Sequence, residues 1–272
     1  MRKDILRAAV LLPALAALLV ALPACGSHSS IQPTSTKVVK SKPARSLVLI
    51  DAKTGALDLS FPDADSVNTT IADNKGGWYV SGLTRVGKTA RNDLAHLRSD
   101  GSLDSAFAPT DLPRNDSAQS ILLHRNVIFA GYYAHGVFAL DARTGKRLWR
   151  VSTNGSRVTS LAYWKGVLYV GGAFEHVGGA NRSGIAAIDA ATGKPTSWRV
   201  RISAIVASVG IWKGVVYIGG MFDSVSGEKR PLGLAALSSR TGQPTSWVPR
   251  SRGGAGSIDS IDKVSSLTVR CW

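Results

Sequence analysis

Cysteine is scarce in this sequence of 272 residues, which contains only Cys25 and Cys271. Two cysteines cannot build the disulfide framework of a small exported domain, so a folded domain must depend on a buried core. The five histidines form no His-x-x-x-His pair and have no cysteine partners, so the spacing of a zinc site is absent. Neither a Gly-x-Ser-x-Gly elbow nor a Walker-type loop occurs. The sequence therefore predicts no catalytic residue, no metal ligand and no cofactor.

The sequence also contains few acidic residues and little helical periodicity. Lysine and arginine number 33 against 18 aspartates and glutamates, and the formal net charge is +15. The close acidic pairs, Asp63 with Asp65 and Asp259 with Asp262, lack the closing glutamate of an oxygen-rich calcium loop. No long stretch with helical spacing of apolar residues follows the first 24 residues, which favours an all-β chain.

One long apolar run lies near the start of the chain. Residues 8–24 follow a charged segment, and the run ends in small residues just before Cys25. This arrangement is typical of an export signal. The alternative is an uncleaved membrane anchor, because a run of this length is near the lower limit of about 17 residues for a spanning helix. Pro13, Pro23 and the small residues at the end favour a cleaved signal over a span.

The segment 22–25, Leu-Pro-Ala-Cys, resembles the lipobox of bacterial lipoproteins, and Gly26 follows it. The resemblance implies cleavage after Ala24, a diacylglyceryl group on the Cys25 thiol, and acylation of the new amino group by a fatty acid such as palmitate. Two or three acyl chains, at about 0.8 kcal/mol for each buried methylene, give lasting anchorage. Cys25 is therefore the predicted lipid-attachment site, and the expected location is the extracytoplasmic face of the cell membrane.

Residues 25–45 are rich in Ser, Thr, Pro and Lys, which is typical of a flexible tether. Removal of residues 1–24 takes away three basic residues and one acidic residue, so the mature net charge is +13. Such charge attracts anionic wall polymers, phospholipid headgroups or nucleic acid, unless it is merely scattered and aids solubility. The basic residues form no run beyond the tether, so no nucleic-acid partner is predicted. The expected partners are the membrane, through the lipid on Cys25, and an anionic wall polymer or an envelope protein.

From Ser46 onward three features recur in a fixed order every 41 to 49 residues. An apolar string leads into an Asp-x-x-Thr-Gly turn, or a degraded form of it, that ends at Gly55, Gly101, Gly145, Gly193 and Gly242. An aromatic residue follows each turn, at Phe61, Phe107, Trp149, Trp198 and Trp247. A further apolar string then ends in glycine, at Gly82, Gly131, Gly172 and Gly220. Repeats of this length indicate a solenoid or a propeller.

Each repeat has the pattern of several short strands joined by tight turns. The Lys-Gly pairs at 165–166 and 213–214 separate apolar strings, and a two-residue link ending in glycine predicts a β-hairpin. Asp51, Asp141 and Asp189 recur at the second turn, where their carboxylates can cap backbone amides. Units of four strands and about 40 to 50 residues are typical of β-propeller blades. The recurring aromatic residue is expected to fill the gap between successive blades.

Two segments resemble known propeller repeats. Residues 137–149, VFALDARTGKRLW, resemble the repeat of quinoprotein-type (PQQ-like) propellers, and residues 169–198 resemble the secreted bacterial repeats known as delta-60. Both resemblances imply an all-β propeller domain over residues 46–272, with about five four-stranded blades. Full strand sets span residues 65–107, 117–149, 157–198 and 206–247. A half set remains at each end, and the two halves either complete a fifth blade or belong to a propeller truncated at the C-terminus.

The predicted function is that of a lipid-anchored envelope propeller that acts as a non-enzymatic binding or scaffold module for a protein or a wall polymer. The alternative is an extracytoplasmic enzyme directed at a quinone or a carbohydrate. The chain lacks the adjacent cysteine pair that many quinone enzymes carry. Three or more carboxylates around one pocket would favour the enzyme, whereas a basic or apolar patch there would favour the binding module.

Overall fold

The computed structural model describes residues 66–230 and 233–247 in full, and outside them it describes the backbone of a few strands. All regular secondary structure in these described residues is β-strand, which confirms the predicted all-β class. They contain no helix that is long and apolar enough to cross a membrane. Cys25 and the predicted tether lie outside the described residues.

The strands near the N-terminus form one small antiparallel sheet. It contains β1 (Arg7–Val10), β2 (Val48–Asp51) and β3 (Leu57–Asp58), with β2 in the middle. Strand β1 falls inside the predicted signal peptide. Only the backbone of these three strands is described.

Four repeat units follow, and each is an antiparallel sheet whose strands pair in chain order. Unit 1 (residues 66–107) contains β4 (Thr69–Ala72), β5 (Trp78–Val86) and β6 (Thr89–Leu97). Unit 2 (117–151) contains β7 (Ala118–His124), β8 (Val127–Tyr132), β9 (Val137–Asp141) and β10 (Arg147–Val151).

The third and fourth units each add a small hairpin between their second and third main strands. Unit 3 (157–198) contains β11 (Val158–Trp164), β12 (Val167–Gly172), the hairpin β13 (His176–Val177) with β14 (Ala180–Asn181), and β15 (Ile185–Asp189). Unit 4 (206–247) contains β16 (Val206–Trp212), β17 (Val215–Gly220), the hairpin β18 (Ser224–Val225) with β19 (Glu228–Lys229), and β20 (Leu234–Ser238). A two-stranded sheet of β21 (Gly256–Ile261) and β22 (Leu267–Cys271) comes last.

The tight turns between the first two strands of units 3 and 4 follow the prediction. Lys165 and Gly166 both have positive φ, 45° and 85°, and so have Lys213 and Gly214, 47° and 78°. A two-residue hairpin of type I′ requires positive φ at both positions because its twist matches that of the strands. The glycine makes this conformation accessible at the second position, so the predicted hairpins are confirmed.

A complete fourth strand occurs only in unit 2 among the described units. In units 1, 3 and 4 it is reduced to a single bridging residue, Leu103, Pro195 or Pro244. Proline has no backbone N–H, so Pro195 and Pro244 donate nothing to the third strand, although the residues after them, Thr196 and Thr245, still donate to the carbonyls of Ala187 and Ala236. The prediction of uniformly four-stranded units was wrong for units 1 and 3, and residues 248–250, which follow Pro244 in unit 4, lie outside the described residues.

Successive units pack face to face through their first strands. Strand β7 contacts β4 and β11, and β16 contacts β11 and β21. Three of the recurring aromatics, Phe107, Trp149 and Trp198, lie between units as predicted. Trp198 of unit 3 is buried in an apolar cluster with residues of unit 4, and its indole N–H donates to the Ser238 carbonyl at 3.0 Å. Trp149 of unit 2 donates in the same way to Ala190 of unit 3 at 3.1 Å.

The two terminal sheets do not pair with each other in the described strands. Strand β2 has β1 and β3 as its neighbours, and β21 pairs with β22. The arrangement is propeller-like, and both the closure of the ring and the number of five blades stay predictions.

Candidate functional site

Loops of the repeat units gather on two opposite faces of the stacked sheets. One face carries the loops that enter each first strand and those that connect the second strand to the third, including the small hairpins of units 3 and 4. We call it the hairpin face. The other, the turn face, carries the two-residue turns and the Asp-x-x-Thr-Gly turns. Strands in an antiparallel sheet alternate in direction, so each class of connection lies at one end of the sheets.

A cleft of about 640 Å³ opens on the hairpin face between units 1 and 2. Its walls carry two carboxylates, Asp93 and Asp116, and two guanidinium groups, Arg91 and Arg114. The first wall comes from the ends of β5 and β6, and the second comes from the loop that enters β7. The cleft is therefore polar and contains charge of both signs.

Asp93 is a buried carboxylate in an unusual backbone conformation. It is 4% exposed and has a φ of 74°. The residues at its position in units 2 to 4, immediately before the third strand, are Gly136, Gly184 and Gly233, and all have positive φ. The left-handed region is strained for residues other than glycine, although aspartate is among those that tolerate it best. Unit 1 thus departs from its own repeat at a buried position.

The Asp93 carboxylate joins units 1 and 2 through backbone amides. It accepts hydrogen bonds from Gly82 N–H at 2.7 Å and from Ala118 N–H at 3.2 Å. Burial raises the pKa of this carboxyl above 3.8, and hydrogen bonds to Asp93 oppose the rise only in part. The backbone amides leave little of the carboxylate open to a ligand.

Tyr132 is a second departure from the repeat, and it packs beside Asp93. It is fully buried at the position that Gly82, Gly172 and Gly220 have in units 1, 3 and 4. Its hydroxyl interacts with the Asp93 carboxylate, although no hydrogen bond of full geometry forms. Burial raises the pKa of Tyr132 well above 10.0, and the nearby carboxylate raises it further.

Asp116 is also held by its surroundings. Its side chain is 5% exposed and accepts the N–H groups of Tyr133 at 3.2 Å and Ala134 at 2.9 Å. The Nδ1 atom of His135 lies 2.6 Å from the same carboxylate. Arg114, by contrast, is exposed and forms no ion pair with any described residue. The charge that the cleft presents to solvent is therefore cationic.

A smaller cavity of about 200 Å³ lies on the turn face beneath units 1 and 2. There His96 stands between two carboxylates, with Nε2 3.0 Å from Asp73 and Nδ1 2.9 Å from Asp104. Each ring nitrogen thus faces a carboxylate oxygen, which can accept an N–H. Tyr79 stacks on the ring at 4.3 Å and donates its hydroxyl to the Ala142 carbonyl at 2.6 Å.

The two carboxylates beside His96 are tied to the chain as well. Burial alone raises the pKa of Asp73, but hydrogen bonds from Lys75, His96 and Gly77 outweigh it and hold the pKa below 3.8. The pKa of Asp104 is lowered in the same way. Both groups therefore contribute stability that is present above pH 3.8 and is lost as the pH falls through their folded-state values.

Neither cavity is lined by three carboxylates in the part of the chain that the structure describes. The same residues contain no group of three or more His, Cys, Asp or Glu side chains arranged to hold a metal ion. A general acid or base must reach the proton that it transfers. The four carboxylates of these cavities instead direct their oxygens to the protein's own amides and imidazoles.

No family model matches the sequence, and no curated protein matches it significantly. Among solved structures, a chain of a mitotic checkpoint complex superimposes with a TM-score of 0.51 and 14% identity, over 89% of this chain and 64% of that one. Sqt1 from Saccharomyces cerevisiae superimposes with a TM-score of 0.50 and 13% identity, over 73% of this chain and 53% of that one. BamB from Moraxella catarrhalis superimposes with a TM-score of 0.48 and 17% identity, over 74% of this chain and 58% of that one. The chain has a propeller-like fold.

The turn-capping aspartates of this propeller-like fold lie where the sequence placed them. The Asp141 carboxylate accepts the backbone N–H and the hydroxyl of Thr144, each at 2.8 Å, and Asp189 does the same with Thr192. The prediction of a capping role is confirmed for both residues. The side chain of Asp51 and the lipid-attachment residue Cys25 lie outside the described residues.

The residues that form the two cavities were not predicted from the sequence, although a signal for them existed. The strand register places His96 opposite Tyr79, and the corresponding partners in units 2 to 4 are Ala139, Ala187 and Ala236. A residue-by-residue alignment of the four units would have marked His96, together with Asp93, as exceptions to the repeat. Such exceptions in a repeat protein point to a local role.

Proposed function

We propose that this protein is a lipid-anchored binding module of the cell envelope whose hairpin face binds an anionic wall polymer. The observation that supports the proposal is the division of charge in the cleft between units 1 and 2. The carboxylates of Asp93 and Asp116 are occupied by backbone amides, whereas the Arg114 guanidinium faces solvent. Loops on a rigid scaffold are the usual place for a binding site.

The chemistry of the cleft favours binding over catalysis. A phosphate or carboxylate group of a polymer would be attracted to Arg114, since guanidinium groups form bidentate, charge-assisted hydrogen bonds with oxyanions. The neighbouring Asn115 has an exposed side chain and can add neutral hydrogen bonds. The net positive charge of the chain would increase the rate at which an anionic polymer is captured.

Charge reversal of Arg114 tests the binding site. We expect Arg114→Glu to weaken binding of poly(glycerol phosphate) by roughly tenfold or more, because a charge-assisted hydrogen bond is replaced by repulsion. Fluorescence titration of the full chain at fixed ionic strength measures the affinity. Arg240→Glu on the turn face is the matched control, because this exposed arginine changes the net charge equally far from the cleft. Equal weakening by both variants would show only general electrostatic attraction and would contradict a site in the cleft.

The lipid anchor is proposed from the lipobox-like segment ending at Cys25. We expect the chain expressed in bacteria to incorporate labelled palmitate and to begin at a lipidated Cys25 when intact mass is measured. Cys25→Ser should lose the label entirely and retain residues 1–24, because the modified cysteine is the signal for cleavage. Cys271→Ser is the matched control and should be labelled like the unaltered chain. Labelling of the Cys25→Ser chain would refute the anchor.

A further inference from the structure

Unit 3 has its own cavity on the hairpin face, separate from the cleft between units 1 and 2. It has a volume of about 400 Å³, and its lining includes Arg182, Arg199 and Arg201 with a single carboxylate, Glu175. We call it the unit 3 pocket. Positive charge exceeds negative charge in its walls, which is an arrangement that recognises anions.

Arg182 is a buried cation that lacks an anionic partner. The residue is 5% exposed, and its terminal nitrogens donate to the carbonyls of Asn181 at 2.7 Å and Thr196 at 2.6 Å. Its Nε atom is buried with no hydrogen-bond partner, and no carboxylate pairs with it in the described residues. Burial lowers the pKa of the guanidinium, and the nearby charge of Arg199 lowers it further. A buried charge is costly unless it is paired.

The equivalent arginine of unit 4 shows what is missing in unit 3. Arg230 is 6% exposed, and its backbone N–H donates to the backbone carbonyl of Asp223, as that of Arg182 donates to the backbone carbonyl of Glu175. Its guanidinium, however, donates to the Glu228 carboxylate at 2.7 Å. The chain itself therefore supplies the anion in unit 4.

The small hairpins of the two units define the corresponding position. Glu228 pairs with Val225 in the hairpin of unit 4, and Ala180 pairs with Val177 in the hairpin of unit 3. Alanine thus stands in unit 3 at the place of the glutamate in unit 4. The unit 3 pocket contains the cation of this pair and lacks its anion.

We propose that the unit 3 pocket binds a phosphate group whose oxygens take the place that the Glu228 carboxylate has in unit 4. Three guanidinium groups against one carboxylate suit a doubly charged phosphate better than a singly charged carboxylate. The Nε–H of Arg182 is a donor available to one of its oxygens, and the Nε–H of Arg230 is likewise without a partner in unit 4, where Glu228 bonds to a terminal nitrogen. Phosphate binding by the pocket is independent of the proposed function. The identity of the molecule that carries the phosphate, a wall polymer, rests on the proposed function.

Calorimetric titration of the full chain with inorganic phosphate tests the pocket, and acetate serves as the singly charged comparison. Ala180→Glu should weaken phosphate binding by roughly tenfold or more while it keeps or raises the unfolding temperature, because the new carboxylate pairs with Arg182 as Glu228 pairs with Arg230. Ala191→Glu is the matched control, because this exposed residue lies on the turn face of the same unit. It should bind phosphate like the unaltered chain.

A second variant tests the same reasoning in reverse. Glu228→Ala removes the anion of unit 4 and should lower the unfolding temperature, because it leaves the buried guanidinium of Arg230 without its carboxylate. Absence of saturable phosphate binding by the unaltered chain, or unchanged binding by Ala180→Glu, would overturn the proposal. A parallel titration with poly(glycerol phosphate) separates it from the proposed function. Binding of free phosphate without any binding of the polymer would support the pocket and contradict the proposed function.

Discussion

Replacement of Trp198 by alanine is expected to lower the free energy of unfolding by about 3 to 5 kcal/mol. The side chain is 6% exposed and packs edge-on against Tyr169 at 5.4 Å between ring centres. Its indole N–H also donates to Ser238 of the next unit at 3.0 Å. The substitution therefore opens a cavity between units 3 and 4 and removes the indole donor of the partly buried Ser238 carbonyl.

Urea unfolding followed by tryptophan fluorescence and circular dichroism measures this loss. Trp198→Phe should lose less, because the ring still fills most of the gap and only the hydrogen bond, at about 0.5 to 1.5 kcal/mol, disappears. Trp212→Ala is a matched control, because that indole is only half-buried and lies against the exposed Lys213 on the turn face. Equal losses at Trp198 and Trp212 would contradict the role of the recurring aromatic between units.

The recurring elements could be predicted because each depends on a few neighbouring residues. The Lys-Gly turns follow from the need for positive φ, and the capping by Asp141 follows from the short reach of its carboxylate to Thr144. The position of Trp198 follows from its place a few residues after the turn that ends at Gly193. These features repeat, and the repetition itself identified the propeller-like arrangement.

The single-residue departures from the repeat could not be predicted in the same way. Asp93 bonds to Ala118, and His96 bonds to Asp73, across distances in the chain that no local pattern encodes. Their partners become evident only when neighbouring units or strands are packed. The reduction of the fourth strand to a single bridge in units 1 and 3 likewise has no signal in the length of the repeat.

Asp93→Ala is expected to lower the free energy of unfolding by about 2 to 5 kcal/mol. Two buried amides, those of Gly82 and Ala118, lose their acceptor, at about 1 to 3 kcal/mol for each unsatisfied group. Alanine must also adopt a φ near 74°, which is strained for a residue with a Cβ atom. Urea unfolding of the full chain measures the loss.

Asp93→Gly should cost less than half as much, because it restores the residue that units 2 to 4 carry at this position. In unit 3 the carbonyl of that residue, Gly184, accepts the N–H of Gly172 at 2.9 Å, so a backbone carbonyl can replace the side chain as acceptor for Gly82. The left-handed conformation is also free of strain for glycine. If Asp93→Gly were as damaging as Asp93→Ala, the equivalence of the four units at this position would be wrong.

Asp93→Asn separates the charge of this side chain from its hydrogen bonds. Burial raises the pKa of Asp93 in the folded state, so its contribution to stability is fully present below pH 3.8 and is lost as the pH rises through the folded-state value. Asparagine keeps an acceptor oxygen and carries no charge to desolvate. The stability of Asp93→Asn relative to the unaltered chain should therefore increase from acidic to neutral pH, whereas a constant difference would mean that burial does not act on this carboxylate. Asp73 and Asp104 titrate in both proteins and cancel in the comparison, which leaves the buried carboxylate between units 1 and 2 as the source of the difference.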